Sequence, residues 1–139
     1  NALYEKMRNL NKLLAWAHAR VIENILDEVN CGQVVTDQFG DELFVRNALM
    51  RKGKDIELIQ RTKAEDDPAV AAASILARAE FLKRLFFLGK DAGIELPKGA
   101  SPMVEEAAVQ LVRTHGPHIL LKYAKTHFKT TKRVLEAAG

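Results

Sequence analysis

Cysteine is almost missing. Cys31 stands alone among 139 residues, which excludes an internal disulfide framework. No Cys or His lies near it at zinc-ligand spacing, so it reads as a small half-buried residue, and the scarcity of cysteine fits a reducing, cytoplasmic setting. Long apolar runs are missing too. A membrane-spanning helix needs about 18 or more consecutive apolar residues, and no segment supplies them. The opening NALYEK has neither the basic-then-apolar order of a signal peptide nor an initiator Met, so the start reads as cut from something longer. There is no internal repeat and no low-complexity tract.

Acidic residues are missing from one segment in particular. Between Lys122 and Arg133 lie Lys125, Lys129 and Lys132, with no carboxylate among them. Elsewhere the charges nearly balance: 21 Lys and Arg against 18 Asp and Glu give a net charge of +3, too mild by itself to imply nucleic acid. The acidic counterpart is a compact cluster at Glu65, Asp66 and Asp67. A basic segment with an acidic cluster suggests a phosphate-bearing partner and a cation site; two solvated surface patches are the bland alternative.

What is present is a hydrophobic content of 47%, enough for a single globular domain with a core, and a chain too short for two ordinary domains. Residues from about 2 to 29 read as helix, because Leu10, Leu13, Leu14, Ala17, Val21, Ile25 and Val29 recur at helical spacing. Residues 33–37 are short and β-branched and read as a strand ending in Asp37. Asp41 can cap a helix to about Arg51. Residues 56–61 read as a second strand. Asp67-Pro68 opens a helix predicted to run to Leu88 and stop at Gly89, with a first half of small residues suited to close packing on a sheet. Ser101 caps a helix ending near His115. Pro117 opens another to about Lys125, and a last helix runs from roughly Thr130 to Ala138. Two strands make a marginal sheet, so these elements want a larger one.

Two positions carry the chemistry. A carboxylate at the carboxyl end of a buried strand, Asp37, is well placed to face a ligand, or else it simply forms a turn. Glu65 precedes a helix start, where the helix dipole favours its ionised form. Such a carboxylate suits Mg²⁺ or Mn²⁺, hard cations that prefer oxygen. For Asp66 and Asp67 capping is the competing role. Two carboxylates alone do not complete a two-metal site. The four histidines form no metal spacing, and His127 stands out only for lying in the basic segment.

Several long strings together resemble ribonuclease HIII, of the type 2 ribonuclease H group: NLNKLLAWAHA (9–19), VTDQF (35–39), TKAE (62–65) with VAAASILAR (70–78), LPKGAS (96–101) and KTHFKTT (125–131). The resemblance runs in order over the whole chain. It implies an α/β architecture: the carboxy-terminal portion of a ribonuclease H-like fold, predominantly helical with two remaining strands. Residues 1–139 would form a single incomplete catalytic domain, without the first three strands and without the amino-terminal substrate-binding domain.

In that family four acids hold two divalent ions, Mg²⁺ or Mn²⁺, and water cleaves the RNA strand of an RNA–DNA hybrid to leave 3′-hydroxyl and 5′-phosphate ends. The resemblance assigns the third acid to Asp37 and the fourth to Glu65, with Asp66 as the alternative because the segment before VAAAS is one residue short. It gives Lys125, Lys129, Thr130, Thr131 and Lys132 as nucleic-acid contacts. The adjacent Asp-Glu of the first strand has no counterpart, so this chain alone is expected to be inactive and to need the missing amino-terminal half. The competing readings are a non-enzymatic helical module that binds nucleic acid, and a self-associating module that forms a homodimer through the exposed strand edge.

Overall fold

The structure, a computed structural model, describes all 139 residues. They form two compact units, Ala2–Leu76 and Ala77–Gly139, with Asn1 belonging to the second.

In the first unit the leading helical stretch is two helices, not one: α1 (Ala2–Met7) and α2 (Leu10–Glu28). The break falls at Arg8, whose φ of 48° is left-handed, and Asn9 then restarts the helix by accepting a hydrogen bond from the Lys12 amide at 3.0 Å. β1 (Gln33–Asp37) and β2 (Glu57–Arg61) lie parallel and in register, from Gln33 beside Glu57 to Asp37 beside Arg61. Between them runs α3 (Leu43–Ala48), which ends earlier than Arg51. Asp41 does cap it, accepting the Leu43 amide at 2.9 Å.

The paired residues Val34 and Leu58 bring the two strands together on the core. Val34 and Leu58 pack against Ala15, Ala19 and Ile22 of α2 and Val45 and Leu49 of α3, with Phe39 and Phe44 closing the cluster. A buried carboxylate ties this core to the approach to β2. Glu23 accepts the amides of Met50 (2.9 Å), Lys52 (3.0 Å) and Gly53 (2.7 Å). A Cβ at position 53 would stand 2.8 Å from the Glu23 oxygen, so a side chain there would displace the Glu23 carboxylate from its amides. Burial pushes the Glu23 carboxyl up, but the three amides outweigh it and hold the group below the usual carboxylate range.

α4 (Pro68–Ala92) begins in the first unit and continues into the second. Asp67 caps it through the Ala69 amide at 2.9 Å. It does not stop at Gly89: that residue lies inside the helix, where the Ile94 carbonyl comes close, and the stop falls at Gly93 with φ 70°. Most small residues of its first half are exposed, as are Ile75, Leu76, Phe86 and Phe87.

In the second unit α5 (Pro102–His115), α6 (Leu120–Tyr123) and α7 (Lys129–Ala138) enclose Val112, Leu120 and Val134. Ser101 occupies the position before α5, but its side chain makes no capping bond. The Asn1 amide threads into the same unit. Its nitrogen donates to the Leu121 and Ala124 carbonyls, both at 2.9 Å, and its oxygen accepts from the Thr126 amide at 3.0 Å. No helix is long and apolar enough to cross a membrane.

Candidate functional site

Asp37 is the last residue of β1 and is exposed. Its Oδ1 accepts the Ala64 amide at 3.3 Å, which leaves Oδ2 without a hydrogen bond. That contact fixes where the acidic cluster begins. Ala64 is fully buried and opens a short 3-10 turn, Ala64–Asp66, so Glu65 is bonded directly to the residue that holds the Asp37 carboxylate. Glu65 and Asp66 are both exposed. Asp67 is engaged otherwise: one oxygen caps α4 and the other faces Arg61 at 3.5 Å.

The turn is made by a strained residue. Lys63 sits at φ 55° and ψ 41°, the left-handed region that costs a side-chain-bearing residue about 1–2 kcal/mol. The bend brings the chain leaving β2 back across the end of β1, and the Lys63 carbonyl is retained as acceptor for the Asp66 amide at 3.2 Å. The sequence carried no sign of this, since a Lys in that conformation leaves no compositional mark.

Hard carboxylate oxygens at Asp37, Glu65 and Asp66 have the chemistry to hold Mg²⁺ or Mn²⁺. They fit part of such a site only. Nowhere in the chain do three or more His, Cys, Asp or Glu groups come together in a geometry that holds a metal ion.

The basic segment lies in the second unit and is less free than its composition suggests. Lys122 pairs with Asp91 at 2.7 Å, Arg133 with Glu105, and Lys132 with Glu136 at 3.7 Å. Lys125 and Lys129 are exposed and have no carboxylate within 4.0 Å. Thr130 and Thr131 are half-buried in the first turn of α7, where the Arg133 guanidinium reaches the Thr130 hydroxyl at 3.5 Å. The ring of His127 packs against Phe128, with centroids 4.3 Å apart.

The ribonuclease HII family matches residues 2–131, and the chain belongs to that family. Within it the similar curated proteins are ribonucleases HIII. That of Protochlamydia amoebophila (strain UWE25) is 46% identical over 139 residues, covering 100% of this chain and 46% of the relative. That of Chlamydia pneumoniae is 46% identical over 133 residues, covering 94% of this chain and 44% of the relative.

Among solved structures, Bst-RNase HIII in complex with Mn²⁺ superposes with a TM-score of 0.88 at 31% identity, over 99% of this chain and 46% of that one. Aquifex aeolicus RNase H3 gives 0.59 at 38% identity, over 78% and 39%. The chain thus spans about half the length of the relatives it matches. Its fold is the carboxy-terminal portion of a ribonuclease H-like fold, mostly helical with a parallel pair of strands.

Proposed function

We propose that this chain supplies half of the metal site of an endoribonuclease that hydrolyses the RNA strand of RNA–DNA hybrids. The observation that carries the reading is the Ala64 amide on Asp37 Oδ1, which ties the strand-end acid to the turn bearing Glu65. Asp37 and Glu65 are the metal-binding and catalytic acids, with Asp66 the alternative to Glu65. Asp37 and Glu65 would hold divalent ions, Mg²⁺ or Mn²⁺, which would supply water activation and charge neutralisation for a cleavage that leaves 3′-hydroxyl and 5′-phosphate ends. The Mn²⁺ in the complex of Bst-RNase HIII supports divalent-ion use.

Lys125, Lys129 and Lys132, with Thr130 and Thr131, contact backbone phosphates, which orients a duplex without reading its sequence. Lys125 and Lys129 carry most of this because no acid neutralises them.

Two acids are too few for two ions, so the remaining ligands come from an amino-terminal half. Residues 1–139 then form one incomplete catalytic domain, and its setting is the cytoplasm. Apolar residues exposed along α2 and just past its end, among them Val21, Ile25 and Val29 at 56%, 52% and 53%, favour a covering partner of this kind.

The test is cleavage of a labelled RNA–DNA hybrid with Mg²⁺ or Mn²⁺, by this chain alone and by this chain mixed with the amino-terminal half of the Protochlamydia relative. Cleavage only in the mixture, lost in Asp37→Asn by at least about a hundredfold, is expected from removal of a metal-binding acid. Binding without cleavage in every mixture would instead favour a nucleic-acid-binding module. A mass that rises with concentration, without binding, would favour self-association.

A further inference from the structure

We infer that Arg61 is a phosphate-contacting residue of the same site, presenting its guanidinium to the phosphodiester that lies across Asp37 and Glu65. The inference rests on the proposed reading of those two acids and adds a positive group to it.

Register places Arg61 there. It is the direct partner of Asp37 in the parallel pair, and directly paired residues on neighbouring strands send their side chains to the same face. Both residues end their strands, so both stand at the rim where the 3-10 turn carries Glu65. An arginine in this position would ordinarily pair with the adjacent carboxylate and close the site. Here it does not: its ion-pair partner is Asp67, at 3.5 Å, while Asp37 is held by the Ala64 amide.

The pairing with Asp67 is loose. Asp67 spends its other oxygen on the cap of α4, and half of the Arg61 side chain remains open to solvent. A guanidinium carries five donors in a planar fork, and one contact of this length satisfies few of them. An exposed pair of this kind adds little to stability, so a purely structural role explains the residue poorly. The free donors match the paired oxygens of a phosphodiester, which the fork binds bidentately. Carboxylates without their cations repel that phosphodiester, and a tethered guanidinium beside them offsets the repulsion where the substrate must sit.

The test compares Arg61→Ala, Arg61→Lys and Asp37→Asn in the chain complemented by the amino-terminal half of the Protochlamydia relative. Four quantities are read: affinity for a labelled RNA–DNA hybrid in EDTA across a salt series, single-turnover cleavage with Mn²⁺, Mn²⁺ affinity by calorimetry, and melting temperature. Arg61→Ala should flatten the salt dependence by about one phosphate contact and slow cleavage roughly 10- to 100-fold. Its Mn²⁺ affinity should stay within about twofold, because the guanidinium is not a ligand. Arg61→Lys should keep the salt slope and lose part of the rate, since a point charge replaces a fork. An Arg61→Ala protein with unchanged slope and rate overturns the inference. So does one whose Mn²⁺ affinity and melting temperature fall together with its rate. If Asp37→Asn cleaves normally, the reading of the acids fails instead.

Discussion

Glu23 and Lys63 show how single residues hold the site's surroundings. Glu23 is a carboxylate with both oxygens engaged by backbone amides, so it is a structural staple rather than a ligand. Its pKa in the folded protein lies below the ordinary value. A carboxyl depressed in this way contributes stability above its unfolded-state pKa, and that contribution disappears as pH falls through the folded value. Glu23→Gln should therefore lower the melting temperature by several degrees near neutral pH, with the gap to the native protein narrowing in acid. Thermal unfolding followed at both pH values checks this, and a gap independent of pH would contradict it.

Lys63 makes the opposite kind of contribution, since its left-handed backbone costs energy to aim the Ala64 amide at Asp37. Lys63→Gly should relieve that cost and change stability by no more than about 1 kcal/mol in either direction, because the glycine also gains entropy when unfolded. Lys63→Val should destabilise by about 1–2 kcal/mol, since a β-branched residue resists the left-handed region. Urea unfolding of the two variants decides it, and equal stabilities would contradict the role given to the bend.

At the scale of elements, α4 sets local propensity against packing. Helix propensity alone says that replacing a mid-helix glycine with alanine gains about 1 kcal/mol. At Gly89 an added Cβ would stand 2.9 Å from the Ile94 carbonyl oxygen, a backbone atom that cannot swing aside. Gly89→Ala should therefore destabilise, by about 1–3 kcal/mol as for other overpacking changes, and a stabilised variant would show that the returning strand of chain gives way. The same glycine explains why the end of α4 was misread from sequence. Glycine signals a stop when it supplies a left-handed residue, as Gly93 does, but it also serves where another backbone passes close. The two uses look alike in a string of letters.

Other elements were legible because their signals are local. The strand ending at Asp37, the Asp67 cap and the extent of α5 follow from β-branching, a side-chain oxygen and a proline at the right spacing. The split between α1 and α2 was not legible, since the apolar period continues through Arg8 and only its backbone angle reveals the break. Glu23 was missed as well. Its role depends on a loop some 30 residues away in sequence, and no pattern within α2 announces it.

At the scale of the whole chain, the largest fact is the amount of apolar surface left uncovered. Ile75 and Leu76 on α4 are 70% and 71% exposed, and α2 has its own open stripe. A two-stranded parallel sheet with both edges open is marginal unless more strands are added. Composition foretold a core but not that it would be partial, because composition does not distinguish apolar residues buried within a chain from those awaiting a partner. The proposed acidic site has the same character: the sequence offers Asp37, Glu65 and Asp66 one by one, while the Ala64 contact that ties Asp37 to the turn arises only from the fold.

The central claim, that Asp37 and Glu65 share one cation, is tested most directly by titrating Mn²⁺ into the complemented chain with carbon-13-labelled carboxyl groups. Paramagnetic broadening should reach the Asp37 and Glu65 carboxyl signals together, at one Mn²⁺ concentration, and leave Asp55 and Glu57 sharp. Broadening of Asp37 with Asp66 alone would move the second ligand by one residue. Broadening that reaches Asp37 while sparing both residues of the turn, or that spares Asp37 altogether, would contradict the account.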